Sequence, residues 1–130
     1  MSHQQLPRFV TSVLIEERDG SVTVTWGLGE VIPGDVEYFG YGVDYHGVDG
    51  NGGKRYGVRF HETASAHVFE WASSTQANYD ATNVRPLESG LVVFYPDASI
   101  GLDDVGALHA FSHLNGQDVQ TDFPVTLIRY

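Results

Sequence analysis

Apolar and polar residues alternate with a period of two along much of this chain. In SVTVTW (residues 21–26) every second side chain is apolar, and the preceding FVTSVLIEE (residues 9–17) is rich in β-branched residues. Both patterns are typical of β-strands. Asp19 and Gly20 stand between them, and an Asp-Gly pair favours a type I′ turn because both central residues of that turn need positive φ. The chain is therefore predicted to begin with a β-hairpin.

A second pair of alternating runs flanks a glycine-rich connection. One face of the first run carries the apolar side chains of Phe39, Tyr41, Val43 and Tyr45. The second run, residues 55–61, alternates Tyr56, Val58 and Phe60 with polar residues and glycine. The connection DGNGG (residues 49–53) suits a loop that needs positive φ. We predict a second hairpin here.

Five further segments have strand-like composition and are separated by turn residues. They are SAHVFEWA (65–72), NYDATNVRP (78–86), GLVVFYP (90–96), ALHAFSHL (107–114) and DFPVTLIRY (122–130). The last two are separated by Asn115-Gly116, which favours another hairpin turn. Seven to nine short strands predict an all-β fold, a single antiparallel β-sandwich over residues 1–130, although the pattern alone leaves a closed barrel open.

The large side chains of the predicted strands divide into a core set and a surface set. The predicted core residues are Trp26, Tyr41, Val43, Tyr45, Phe69 and Phe94. Tyr38 and Tyr79 stand near predicted strand beginnings, and we expect them, with Trp71, to serve a partner-binding surface.

Composition narrows the classes of partner. The 130 residues are enough for one domain with its own core. They include 17 acidic and 7 basic side chains, a formal net charge of -10, which repels phosphate backbones and anionic lipid surfaces. We therefore expect protein partners, with neither nucleic acid nor membrane. Cysteine is absent, and the opening MSHQQLPRFV lacks the basic and apolar regions of a secretory signal, so synthesis in the cytoplasm without a signal peptide is expected.

Candidate chemistry is sparse. The DGNGG stretch lacks a carboxylate at the spacing that closes a calcium loop, and its surroundings match no phosphate-binding fingerprint. His109 and His113 would share one face of a strand but stand about 13 Å apart, too far to bind one ion. No Gly-x-Ser-x-Gly stretch is present. We expect no catalytic residues, no metal site and no cofactor.

Two stretches resemble a known family. VTVTW (residues 22–26) followed by GYGVDYHGVDG (residues 40–50) resembles strands B and C of a fibronectin type III module. In that family a tryptophan ends strand B inside the core, and Trp26 matches that position; strand C has the Tyr-x-Val-x-Tyr pattern that residues 41–45 match. NVRPLESG (residues 83–90) is similar to the turn before strand F. The resemblance implies an immunoglobulin-like sandwich, without integrin-type adhesion because Arg-Gly-Asp is absent.

The chain also resembles, in its general type, the sandwich modules of bacteriophage virion proteins. That resemblance implies a noncatalytic tail or capsid-decoration subunit that assembles with copies of itself or with other virion subunits. One alternative is a small β-barrel enzyme or ligand carrier, cyclase- or isomerase-like, whose aromatic cavity is lined by Tyr45, His61 or His109. A second alternative is a carbohydrate-binding module with a row of exposed aromatic rings that includes Trp71.

Overall fold

The computed structural model describes residues 6–121 and 123–130, which form strands and a one-turn 3₁₀ helix at Ala81–Asn83. The strands are β1 (Arg8–Arg18), β2 (Ser21–Val31), β3 (Phe39–Gly47), β4 (Lys54–Phe60), β5 (Ala64–Glu70), β6 (Thr75–Tyr79), β7 (Val84–Leu87), β8 (Gly90–Tyr95), β9 (Val105–Leu114), β10 (Gln117–Thr121) and β11 (Val125–Arg129). No helix in these residues is long and apolar enough to span a membrane. The MSHQQ start and Asp122, the first residue of one predicted strand, lie outside the described residues.

The strands form two sheets that pack face to face. One sheet has the order β11-β1-β2-β8-β7, and the other has the order β10-β9-β3-β4-β5-β6. All the strand pairs are antiparallel except β1 with β11, which run parallel with Val13 opposite Val125. The predicted all-β sandwich is confirmed.

The strand number exceeds the predicted seven to nine. The segment predicted as one strand over residues 78–86 is divided, because β6 ends at Tyr79 in the six-stranded sheet and β7 begins at Val84 in the five-stranded sheet. The region after Asn115-Gly116 also forms two strands: β10 completes the hairpin, and β11 crosses to the other sheet. Edge strands this short carry too little periodic pattern to be counted from sequence.

The predicted turns are confirmed. Asp19 and Gly20 have φ of 52° and 79°, and Asn115 and Gly116 have φ of 51° and 85°, so both residues of each turn take the left-handed conformation that type I′ needs. Strands β3 and β4 pair as the second predicted hairpin.

The core lies between the inward faces of the two sheets. Trp26, Tyr41, Val43 and Tyr45 are buried, as predicted. Phe94 is 45% exposed, so its assignment to the core is wrong. Strand β8 buries alternate residues, and Phe94 falls on the face that looks away from the other sheet. Phe69 is only half-buried for the same reason, since it points outward from β5.

Buried tyrosines hold the crossover from β8 to β9. The hydroxyl of Tyr56 donates to the carbonyl of Ala98 at 2.7 Å, and that of Tyr45 donates to the carbonyl of Ile100 at 2.9 Å. Lys54 Nζ donates to the carbonyl between them, that of Ser99, at 2.6 Å. Three successive carbonyl groups of a connecting segment are thereby satisfied by side chains of the six-stranded sheet.

The amide of Gln120 joins the two sheets on one side of the sandwich. Its Oε1 accepts from the backbone N–H of Val10 at 2.8 Å, and its Nε2 donates to the carbonyl of Val10 at 3.2 Å. This side chain occupies the place of a neighbouring strand at the beginning of β1, where β11 does not reach. The opposite side of the sandwich has β6 and β7 as its edges.

Candidate functional site

The outer face of the six-stranded sheet has a floor of glycine. Gly40 and Gly42 of β3 and Gly57 of β4 are neighbours across the strands, with Gly42 opposite Gly57. Rings from adjacent strands lie over this floor: the Phe111 ring covers Gly42 and the His67 ring covers Gly57. His113 covers Gly40 in the same way. The result is a depression of about 340 Å³, which we call the glycine depression.

Two arginines of β4 line the glycine depression. Arg55 is paired with Asp44 through two hydrogen bonds of 2.5 and 2.8 Å, and its guanidinium lies 4.9 Å from the centre of the Phe111 ring. Arg59 is exposed and lies 4.6 Å over the ring of Tyr38. Within residues 6–121 and 123–130 no carboxylate lies within ion-pair distance of Arg59. Arg59 therefore has no direct ion-pair partner in the described part of the chain, and Asp118 is the carboxylate that also lines the depression.

Two imidazoles complete the lining. Burial lowers the pKa of His67, and the nearby charges of Arg55 and Arg59 lower it further. Burial also lowers the pKa of His113, although the Asp118 carboxylate opposes that shift. Nδ1 of His113 is buried and has no hydrogen-bond partner in the described part of the chain. Burial therefore favours the neutral form of both rings.

Tyr38 stands at the rim of the glycine depression because the turn between β9 and β10 holds it there. Oδ1 of Asn115 accepts from the backbone N–H groups of Glu37 at 2.8 Å and Tyr38 at 3.2 Å. The N–H of Asn115 donates to the carbonyl of Tyr38 at 2.8 Å. Gly116 leaves room for the tyrosine hydroxyl, which a side chain at that position would displace.

The three residues proposed for a partner surface do not lie together. Tyr38 and Trp71 are both half-buried on the outer face of the six-stranded sheet, and the Trp71 indole is stacked on His46 at 5.2 Å. Tyr79 ends β6, and its hydroxyl donates to the carbonyl of Pro96 at 3.2 Å. The sequence prediction did not include Arg59, His67, Phe111 and His113, whose convergence depends on a strand order that periodicity does not give.

The residues named for the alternative functions are also apart. Tyr45 is in the packed core, stacked on Tyr56 at 5.8 Å, whereas His61 and His109 are exposed. In the 49–53 loop Gly50, Gly52 and Gly53 have positive φ, as a glycine-rich hairpin connection needs. Within the described ranges no three His, Cys, Asp or Glu side chains are grouped to hold a metal ion.

The four edge strands differ in how they are protected from pairing with another chain. Charged residues, proline and bulges are the usual protection. Strand β7 contains Arg85 and Pro86, β10 contains Asp118 and a register shift, and β11 contains Arg129. Strand β6, with the sequence TQANY, has no charged residue, no proline and no register shift. Of the strands described here, none other than β5 pairs with it.

Comparisons of the chain with protein families, with curated proteins and with solved structures found no match.

Proposed function

We propose that this protein is a noncatalytic binding module that assembles by adding a strand of another chain to the outer edge of β6. The observation that carries the proposal is the unprotected sequence of β6 beside three protected edges. An exposed strand edge presents unpaired N–H and C=O groups, and pairing them with a second strand supplies affinity through main-chain hydrogen bonds.

The simplest partner is a second copy of the chain. Two β6 strands related by a two-fold axis pair antiparallel, and the six-stranded sheets then join into one continuous sheet. Gln76 and Asn78 lie on its outer face, opposite Phe69 and His67 of β5. Uncharged side chains on both strands avoid the repulsion that facing carboxylates would cause.

The virion setting stays a prediction. It rests on the resemblance in type to bacteriophage tail and capsid-decoration modules. Capsid or tail genes on both sides of the coding sequence would support it, and neighbours that encode an unrelated metabolic pathway would count against it.

The test is to place positive charge on β6. We expect the unmodified protein to dimerise in sedimentation velocity, and the double variant Gln76→Lys with Asn78→Lys to raise the dimer Kd by tenfold or more, since like charges then face each other across the two-fold axis. The matched control is Gln117→Lys with Thr121→Lys, which adds the same charge to the other edge of the same sheet. A protein that stays monomeric up to about 1 mM, or a control that dissociates equally, would refute the proposal.

A further inference from the structure

The glycine depression has the features of a ligand site that is independent of the β6 edge. We propose that it binds a carboxylate carried on a flat aromatic body, with Arg59 as the charge partner and the rings of Tyr38 and Phe111 as the apolar walls. At about 340 Å³ it lies at the lower end of the size range of small-molecule sites, which suits one ring with its substituents.

The unpaired guanidinium of Arg59 favours an anion on its side of the depression. Arg55 already shares its guanidinium with Asp44, so that pair contributes little net charge. Arg59 is exposed at the rim, and no carboxylate neutralises it within the described residues. A guanidinium presents parallel N–H donors that match the two oxygens of a carboxylate. Asp118 lines the opposite side near His113 and restricts the anion to the side of Arg59.

The shape of the floor selects a flat body. Because the three glycines have no side chains, the rings of His67, Phe111 and His113 lie directly against the sheet backbone, and Gly57 itself lines the depression between them. Phe111 lies across Gly42, and Tyr38 lies edge-on to His113 with centroids 6.3 Å apart. Aromatic side chains favour planar apolar ligands by stacked or edge-to-face contact. A carboxylate without a ring would use the charge of the site but leave these walls exposed to water.

Binding should be coupled to protonation of His67 and His113. Both pKa values are lowered in the free protein, by burial first and then by arginine charge. A bound carboxylate compensates that positive charge and raises both pKa values, so the complex takes up protons and affinity increases as the pH falls through the imidazole range. The charged groups that face these two rings are Asp44, Arg55, Arg59 and Asp118.

The experiment uses the full chain and five probes: benzoate, acetate, inorganic phosphate, benzyl alcohol and a neutral methyl glucoside. Imidazole resonances of His67 and His113 are followed by NMR as a function of pH, with and without each probe at up to about 10 mM, a range that fills even a millimolar site. We expect benzoate to raise the pKa of both histidines and to bind at least threefold more tightly at pH 5.5 than at pH 7.5. Acetate and phosphate should bind at least threefold more weakly than benzoate, and benzyl alcohol should leave both histidines unchanged.

Two variants and a control locate the effect. Arg59→Gln should weaken benzoate binding at least tenfold, because the charge partner is lost. His113→Gln should keep binding at pH 7.5 but reduce its pH dependence. Arg85→Gln removes an identical charge from an exposed position on β7, in the other sheet, and should bind benzoate as the unmodified protein does. Thermal unfolding of each variant shows whether the fold is retained.

Several results would overturn the proposal. Benzoate that leaves both histidines unperturbed at pH 5.5 excludes the site. Phosphate that binds more tightly than benzoate, or acetate that equals benzoate, shows an anion site without the aromatic selectivity. A neutral methyl glucoside that displaces benzoate, or that perturbs these histidines alone, would indicate a carbohydrate site instead. None of these outcomes affects dimerisation through β6, which is measured separately.

Discussion

Each fully buried tyrosine of the core forms a hydrogen bond through its hydroxyl group. Tyr45, Tyr56 and Tyr95 are almost inaccessible to solvent, and each donates to a backbone carbonyl at 2.7–2.9 Å. Burial raises the pKa of all three. A buried hydroxyl without a partner costs about 1–3 kcal/mol, and the same is true of the carbonyl it leaves behind. Tyrosine is therefore preferred over phenylalanine where a core ring reaches a buried backbone carbonyl.

Removing one of these hydroxyls should destabilise the protein measurably. Tyr56→Phe leaves the carbonyl of Ala98 without its donor in a buried place, and we expect a loss of about 1–3 kcal/mol in the free energy of unfolding by urea. The matched control is Tyr130→Phe, which removes an exposed hydroxyl bonded to Glu16 at 3.0 Å. Water replaces that partner, so the control should lose less than about 0.5 kcal/mol. Equal losses in the two variants would show that the buried hydrogen bond contributes no more to stability than the exposed one.

At the scale of elements, Glu17 connects three separate parts of the chain. Its carboxylate on β1 accepts from the backbone N–H of Ile100 in the crossover and from Arg129 Nε of β11 at 2.9 Å. Burial alone would raise the pKa of Glu17, but these two donors outweigh it and the pKa is lowered. A carboxylate with a lowered pKa stabilises the folded state above its unfolded pKa, and this stabilisation is lost as the pH falls through the folded value.

Glu17→Gln should remove that pH dependence. At pH 7 we expect the free energy of unfolding of the variant to be lower by about 1.5–3 kcal/mol, the usual contribution of a hydrogen bond to a charged group. At acidic pH, where the carboxylate of the unmodified protein takes up its proton, the difference should shrink. Urea unfolding at the two pH values measures it. Glu88→Gln removes the same charge from an exposed position and should change little at either pH, so a Glu88 effect as large as that of Glu17 would contradict the assignment.

Local elements were predictable from the sequence, and distant pairings were not. The turn at Asp19-Gly20 and the inward face of β3 follow from neighbouring residues and period-two alternation. The division between β6 and β7 and the parallel partner of β1 depend on which sheet a segment joins, which period two does not encode. Phe94 was misplaced because an apolar run does not show which of its faces is covered. The glycine depression was missed because it is assembled from β3, β4, β5, β9 and β10.

At the scale of the whole molecule, net charge opposes self-association. Each copy has a formal charge of -10, so two copies repel each other over a distance set by the ionic strength. Strand pairing at β6 involves no charged side chain of that strand, and salt should not weaken the contact itself. Salt screens the repulsion between two copies, but it also screens the attraction between Arg59 and a carboxylate. The proposed dimer and the proposed carboxylate site therefore respond to salt in opposite directions.

We expect added salt to strengthen the dimer and to weaken benzoate binding. Between about 0.05 M and 0.5 M NaCl the Debye length shortens from more than 10 Å to less than 8 Å, and the dimer Kd should fall severalfold. Sedimentation velocity measures the dimer, and NMR titration in the same buffers measures benzoate. A dimer that dissociates in salt would show that ion pairs, and not main-chain pairing at β6, hold it together.

The parallel pair of β1 and β11 has a consequence for folding kinetics. Val13 lies opposite Val125 in that pair, so one sheet is completed only when two strands from distant parts of the sequence meet. The other sheet likewise requires β3 to pair with β9, which lies far from it in the sequence. Domains dominated by such distant contacts fold in milliseconds to seconds, far more slowly than helical bundles of the same size. During that interval the strand edges are unpaired and can pair with those of another chain. Refolding should therefore succeed better in dilute than in concentrated solution.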